Sequence, residues 1–123
     1  MSHRIVIVDD DKVTLSMLEG ILATHGYVVF SSQDGAEAFE LVQKEKPDVL
    51  ISDMLIPKIH GLDLCKKVKE DPGLKQTKVI LMTAVYKGIP FKGEIKDCGA
   101  DDSVEKPLDT HALLVKIEKL LKN

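Results

Sequence analysis

Four groups of residues could do chemistry together. Asp9-Asp10-Asp11 follows a β-branched run, Arg4-Ile5-Val6-Ile7-Val8, and Asp53 follows a second apolar run, Val49-Leu50-Ile51-Ser52. Thr83 follows a third, Lys78 to Met82, and Lys106-Pro107 follows a weaker stretch at Asp102 to Val104. Carboxylates can hold a hard cation or attack phosphorus, and a hydroxyl with an ammonium can neutralise phosphoryl oxygens. Taken singly, each is ordinarily structural: Asp9 to Asp11 could merely cap a helix. Together, each at a strand end, they ask for one sheet that gathers them.

The spacing predicts that sheet. A helix is expected from Lys12 to His25, with Leu18, Ile21, Leu22 and His25 on one face and Gly26 as its stop. Strand Tyr27–Ser31 follows, then a helix over Gly35 to Lys46, capped by Asp34 and closed by Pro47. The next strand is Asp48–Ser52, followed by a loop through Pro57 and Gly61 and a helix from about Leu62 to Glu70. Asp71-Pro72-Gly73 is a turn into the strand Lys78–Met82. Gly88, Pro90 and Gly93 oppose a regular helix, so a long loop with a short helix near Glu94 to Asp97 is expected. A last helix is capped by Asp109 or Thr110 and packs through Leu113, Leu114, Ile117, Leu120 and Leu121.

Strands alternating with helices imply right-handed βαβ units and a parallel sheet. The expected fold is α/β: a flavodoxin-like, doubly wound, five-stranded parallel sheet of order 2-1-3-4-5 in three α/β/α layers. In that order the third strand is central, with neighbours ~4.8 Å away. Asp9, Asp10 and Asp53 then share one crevice at the carboxyl ends of the strands, and Thr83 and Lys106 face it from the opposite flank. Three crowded carboxylates repel, and a divalent cation relieves this. Mg²⁺ needs few protein oxygens, whereas calcium needs more than the chain offers here. Asp53 could then attack a phosphoryl group, with Lys106 and Thr83 on the product oxygens.

Composition narrows the classes. A chain of 123 residues suits one domain, here residues 1–123. The net charge of −3 with scattered basic residues gives no nucleic-acid surface. No apolar run reaches the ~20 residues of a membrane span. The start, Met1 to Arg4, has no signal-peptide pattern, so a cytoplasmic protein is expected. Cys65 and Cys98 are far apart in sequence and read as reduced, partly buried thiols, and the four histidines form no zinc-ligand spacing.

The pattern Ile7-Val8-Asp9-Asp10-Asp11, Asp53 to Gly61, Thr83-Ala84, Gly99-Ala100-Asp101-Asp102 and Lys106-Pro107 resembles the response-regulator receiver domain over essentially the whole chain. The resemblance extends to single-domain, chemotaxis-regulator-like receivers. The chain, which ends at Lys122-Asn123 directly after its last helix, is expected either to act through non-covalent partners as they do or to be cut from a longer protein. It implies a two-component signalling switch in a phosphorelay. Asp53 would accept a phosphoryl group from a phosphohistidine on a sensor histidine kinase or histidine phosphotransfer protein. Asp9, Asp10, Asp53 and the backbone carbonyl of Leu55 would hold Mg²⁺, and Thr83 and Lys106 would contact the phosphate. Such a protein catalyses its own phosphorylation and slow dephosphorylation but is no turnover enzyme. Its downstream protein target would bind the face around residues 85–105 and the last helix. The resemblance also implies a cis Lys106–Pro107 bond.

Departures from the family pattern bear on readout. Ser103 stands where an aromatic residue is usual, with Tyr86, Phe91 or the loop Val85 to Gly93 as possible substitutes. Leu55 and Val85 are apolar where polar residues can position water, which implies a shielded acyl phosphate. His60 stands where Asp is common and reads as a loop residue without a chemical role. A receiver that binds partners without phosphorylation is one alternative. Another arises because Asp9-Asp10-Asp11-Lys12-Val13 also resembles the motif of haloacid-dehalogenase-like phosphatases, with Asp9 as nucleophile and Asp11 as acid/base. That second resemblance leaves Asp53 and Pro57 without a purpose and lacks the later acidic pair at a strand end.

Overall fold

The computed structural model describes residues 2–84 and 92–122. Its strands are β1 (Arg4–Val8), β2 (Val28–Ser32), β3 (Val49–Asp53), β4 (Lys78–Ala84) and β5 (Asp102–Lys106). Its helices are α1 (Lys12–Thr24), α2 (Gly35–Glu45), α3 (Gly61–Glu70), α4 (Lys92–Asp97) and α5 (Thr110–Leu121). The strands pair in parallel in the order β2-β1-β3-β4-β5, the doubly wound arrangement expected from the alternation of elements.

Side-chain alternation along the aliphatic runs decides the layers. Ile5, Ile7, Val49, Ile51, Ile80 and Met82 point to one face and pack against α1 and α5 through Leu18, Leu22, Leu113 and Ile117. Val6, Val8, Leu50, Val79 and Leu81 point to the other and pack against α2 and α3 through Ala38, Val42, Leu64 and Val68. Continuous apolar runs are what a strand covered on both faces requires. Cys65 and Cys98 are free and buried in the second layer, where the Cys65 thiol donates to the Cys98 carbonyl at 3.4 Å. Burial, followed by the neighbouring Cys98, pushes the Cys65 thiol far up, so it is an inert packing group at neutral pH.

The helix starts follow their capping residues. The Asp11, Asp34 and Asp109 carboxylates accept from the N–H groups of Val13, Glu37 and Ala112. Helix α2 stops at Lys46, which turns left-handed (φ 46°) because a residue before proline is disfavoured in the helical region. The expected Asp71-Pro72-Gly73 turn is a short 3-10 helix, Pro72–Leu74, with Asp71 bonding the Gly73 N–H. His25 departs from the expected apolar face. It is exposed, and its ring Nδ1 lies 2.9 Å from the Ile21 carbonyl at the end of α1.

Two boundaries matter for the site. Strand β3 runs one residue further than expected, so Asp53 is its last residue and pairs in register with Met82. Strand β5 runs on through Lys106, paired with Ala84, and the Lys106–Pro107 bond is cis as expected. Helix α4 begins at Lys92, earlier than the Glu94 start expected. Val85, Tyr86 and Phe91 lie outside the described residues, as do residues 85–91 of the unusual loop.

The turn after β3 is held by close backbone contact. The Gly61 N–H bonds the Met54 carbonyl at 3.0 Å, and the Gly35 N–H bonds the Pro57 carbonyl at 3.0 Å. A Cβ at Gly61 would lie 2.4 Å from the Asp53 carbonyl oxygen and 2.7 Å from Met54 Cα. A Cβ at Gly35 would lie 2.0 Å from the Ile59 carbonyl oxygen. Backbone atoms cannot rotate away as a side chain can. Gly61→Ala should therefore cost ~1–3 kcal/mol, the scale of overpacking. Urea denaturation checks this, and an unchanged midpoint would show that the turn yields freely.

Candidate functional site

The strand order brings the ends of β1 and β3 side by side. One carboxylate oxygen from each of Asp9, Asp10 and Asp53 lies within 4.8 Å of the others. Asp9 is fully buried, Asp53 nearly so, and Asp10 is exposed. Asp9 is fixed by the Asp11 N–H, which donates to Oδ1 at 2.9 Å. Asp53 is fixed by the Leu55 N–H, which donates to Oδ1 at 3.1 Å. Asp10 is approached by Gln33, whose amide donates to the Asp10 carbonyl at 3.4 Å.

Lys106 does more than face this crevice from a flank. Its ammonium crosses to it and donates to Asp9 Oδ2 at 2.6 Å and Asp53 Oδ2 at 2.8 Å. Burial pushes the Asp9 carboxyl above its ordinary 3.8, against the pull of Lys106 and the Asp11 N–H. For Lys106 burial acts downward, but the bonds to Asp53 and Asp9 outweigh it and hold the ammonium above its ordinary 10.5. The crowded carboxylates thus carry a built-in counter-charge as well as the geometry of a cation site.

The remaining predicted residues fall into place unevenly. Thr83 is buried beside the site, but its hydroxyl donates to the Val104 carbonyl of β5 at 3.4 Å. The Leu55 side chain is 56% exposed rather than in the core, and it lines a recess with Asp53. His60 is exposed and precedes α3 without a side-chain capping bond. Asp11 is occupied elsewhere: its Oδ2 accepts from the Thr14 hydroxyl at 2.9 Å, which with the Val13 N–H holds its pKa low. Asp11 thus acts as the N-cap of α1, a role that the phosphatase alternative does not require. A recess of about 280 Å³ opens beside Asp53, against Met54, Leu55, His60 and Leu62. A larger groove, about 590 Å³, lies at the opposite end of the sheet, around Lys46, Thr77 and Leu121, far from these groups. The close contact of Gly61 with Asp53 was not foreseen, though a glycine just ahead of an apolar helical pattern was its available signal.

The set fits a small, hard cation. Two ligands opposite each other around Mg²⁺ are ~4.2 Å apart at its usual ~2.1 Å bond lengths. The 4.8 Å spread of three carboxylates allows such contacts with small side-chain movements. The donors are all oxygens, as Mg²⁺ prefers.

A doubly wound sheet with three carboxylates and a lysine gathered at its carboxyl edge defines a class, and comparison with known proteins specifies it. Residues 5–118 match the model of the response regulator receiver domain. The chain is 32% identical over 122 residues to the response regulator MprA of Mycobacterium tuberculosis, covering 99% of this chain and 52% of MprA. It is 32% identical over 121 residues to the response regulator PleD of Caulobacter vibrioides, covering 98% of this chain and 26% of PleD. It thus spans about half or less of the length of these relatives. A crystal structure of a response regulator from Chloroflexus aurantiacus J-10-fl superimposes with a TM-score of 0.93 at 35% identity, covering 100% of both chains. The chain belongs to the response-regulator receiver family and is a receiver domain of two-component signalling. Among the described residues no helix is long and apolar enough to cross a membrane.

Removing Lys106 would leave two close, buried carboxylates without their counter-charge. Lys106→Met should cost ~3 kcal/mol in chelator at neutral pH, the scale for breaking a buried ion pair. The folded-state pKa of Lys106 is raised, so its contribution is fully present below pH 10.5 and lost as pH rises through the higher folded value. Denaturation of both proteins with EDTA at pH 7 and above pH 10.5 checks this. A deficit that widens on the alkaline side would contradict the pairing.

Proposed function

We propose that the chain is a phosphorylation-dependent switch in which Asp53 accepts the phosphoryl group. The donor is a phosphohistidine on a sensor histidine kinase or a histidine phosphotransfer protein, in a Mg²⁺-dependent reaction. The observation that carries this is the bridge of Lys106 between Asp9 and Asp53 within the three-carboxylate cluster. It puts a mobile positive charge beside an oriented carboxylate nucleophile. Asp9, Asp10, Asp53 and the Leu55 carbonyl are the proposed ligands. The bound ion supplies Lewis-acid stabilisation of charge on the transferring group.

In this reading an Asp53 carboxylate oxygen attacks phosphorus. The P–N bond to the donor imidazole breaks, and the ring leaves with the bonding pair and takes up a proton. The Leu55 N–H holds Asp53 Oδ1, directing Oδ2 toward the incoming group. The Lys106 ammonium exchanges its carboxylate contacts for a phosphoryl oxygen, and the Thr83 hydroxyl exchanges the Val104 carbonyl for another. Hydrolysis of the acyl phosphate resets the switch slowly, without a turnover substrate. The proposed output is altered binding of a downstream protein on the face around residues 85–105 and α5, of which residues 85–91 lie outside those described. Free Cys65 and Cys98 suit the reducing cytoplasm, the proposed location. Neither membrane nor nucleic-acid binding is assigned to this domain.

Incubation with acetyl phosphate and Mg²⁺, followed by borohydride trapping and peptide mapping, should label Asp53 and no residue in Asp53→Asn. Label on Asp9 would overturn the assignment in favour of the phosphatase-like alternative.

Magnesium should stabilise the fold by ~1.4 kcal/mol at ten times its Kd, and Asp10→Asn should weaken this. Equal thermal shifts in the two proteins would remove Asp10 from the ligand set.

Leu55 exposes an apolar side chain in the recess beside Asp53 and is proposed to hinder attacking water. Leu55→Asn should accelerate decay of phospho-Asp53 several-fold. An unchanged decay rate would remove Leu55 from this role.

A further inference from the structure

Among the described residues strand β5 is an edge strand, because it ends the sheet order β2-β1-β3-β4-β5. Along a strand, the N–H and C=O of one residue point to one edge and those of the next residue to the other. The Val104 carbonyl points inward and receives the Thr83 hydroxyl of β4 at 3.4 Å. The backbone groups of Ser103 point outward, where no strand among the described residues meets them. Both are nevertheless occupied. The Ser103 N–H donates to Asp102 Oδ1 at 2.8 Å, and the Ser103 carbonyl accepts from the Lys116 ammonium of α5 at 3.0 Å. Lys116 also donates to Asp102 Oδ1 at 2.9 Å, closing a three-cornered clasp.

The ion pair of this clasp adds little to stability. Its two side chains are about a third exposed, at 34% and 33%, and such pairs contribute little to folding. The apolar attachment of α5 is already made by Leu113 and Ile117, packed with Val104. The clasp adds a polar, directional attachment of α5 to one particular peptide of β5. That peptide adjoins the one held by Thr83 and lies three residues from Lys106, or ~10 Å along the strand. Five consecutive residues thus carry, in order, the clasp to α5, the Thr83 contact and the Lys106 contact with Asp53. Ser103 contributes a short side chain at this point, so the link to α5 runs through its backbone.

We propose that Lys116 is a positioning residue that couples α5 to the state of the acceptor through the backbone of β5. The inference rests on the assignment of Asp53 as acceptor and extends it to the route of readout. When Lys106 and Thr83 are drawn to a group on Asp53, the Val104 carbonyl loses its hydroxyl partner and the end of β5 shifts. Lys116, fixed to the neighbouring carbonyl, carries that shift into α5. A two-point grip is needed for this: either point alone would let the helix pivot on its apolar face.

Beryllofluoride with Mg²⁺, added to the full chain and followed by NMR, tests the coupling. In the wild type the amides of Asp53 and Leu55, the amide of Ser103, the side chain of Lys116 and the amides of α5 should all shift. In Lys116→Gln the Asp53 and Leu55 amides should still shift while α5 loses most of its response, and Lys116→Arg should restore it. Because coupling is reciprocal, Lys116→Gln should also change the apparent beryllofluoride affinity a few-fold, an effect that a purely structural role would not produce. Asp102→Asn attacks the clasp from the strand side and should reproduce the Gln phenotype. A full α5 response in folded Lys116→Gln and Asp102→Asn would overturn the coupling and leave the acceptor standing. No shift at Asp53 or Leu55 in the wild type would overturn the acceptor assignment, and the coupling with it.

Discussion

A fully buried carboxylate at the end of β1 is the constraint around which the rest is arranged. Asp9 is excluded from water, and an unpaired charge there would be costly enough to favour protonation. The chain answers with Lys106, a residue 97 positions away, whose ammonium also reaches Asp53. Only a sheet order that brings the carboxyl ends of β1, β3 and β5 to the same end of the sheet permits that contact. The counter-charge therefore ties the end of the chain to its beginning. An ammonium on a long, flexible stem can also move to another anion when one arrives. The group that balances the resting site is thus suited to respond to a change at Asp53.

The layered fold was legible because the aliphatic runs are long and their punctuation is unambiguous. Asp11, Asp34 and Asp109 each sit directly before a helical pattern, and Pro47 forces Lys46 out of the helix. Less legible were elements whose identity rests on pairing rather than burial. Strand β5, Asp-Ser-Val-Glu-Lys, places one fully apolar side chain in the core, and its length through Lys106 comes from its ladder with β4. The extension of β3 to Asp53 has the same cause, since pairing with Met82 carries the ladder past the apolar run. His25 was misplaced because 3.6-residue periodicity continues past a helix end, where a side chain can turn back onto the last carbonyls.

The site was legible to the extent that it is built from strand ends. Asp9, Asp10 and Asp53 follow from the strand order alone, since adjacent parallel strands present their carboxyl ends together. The crossing of Lys106 was not, because its position two strands from β3 fixes only a flank, and the reach of its side chain decides the contacts. Nor was the direction of Thr83, whose hydroxyl has a backbone acceptor on β5 as well as the crevice to choose from. The Asp102–Lys116 clasp gives no sequence signal at all. A lysine on a helix and an aspartate at a turn are common, and only the edge position of β5 makes their meeting specific.

That edge position bears on how a state at Asp53 could reach the surface. A central strand is held on both sides, and a small shift in it is resisted by two ladders. Among the described residues strand β5 has one ladder, to β4, and its other side is held by side chains, so a pull at Lys106 meets less resistance. A free edge must nonetheless have its backbone groups satisfied and be protected from pairing with other chains. Asp102 and Lys116 meet that need with side-chain contacts, which tie the strand to α5 without adding a second ladder. An edge strand closed by side chains is therefore both protected and movable. In this receiver such a strand lies between the acceptor and α5, where the proposed readout has to pass.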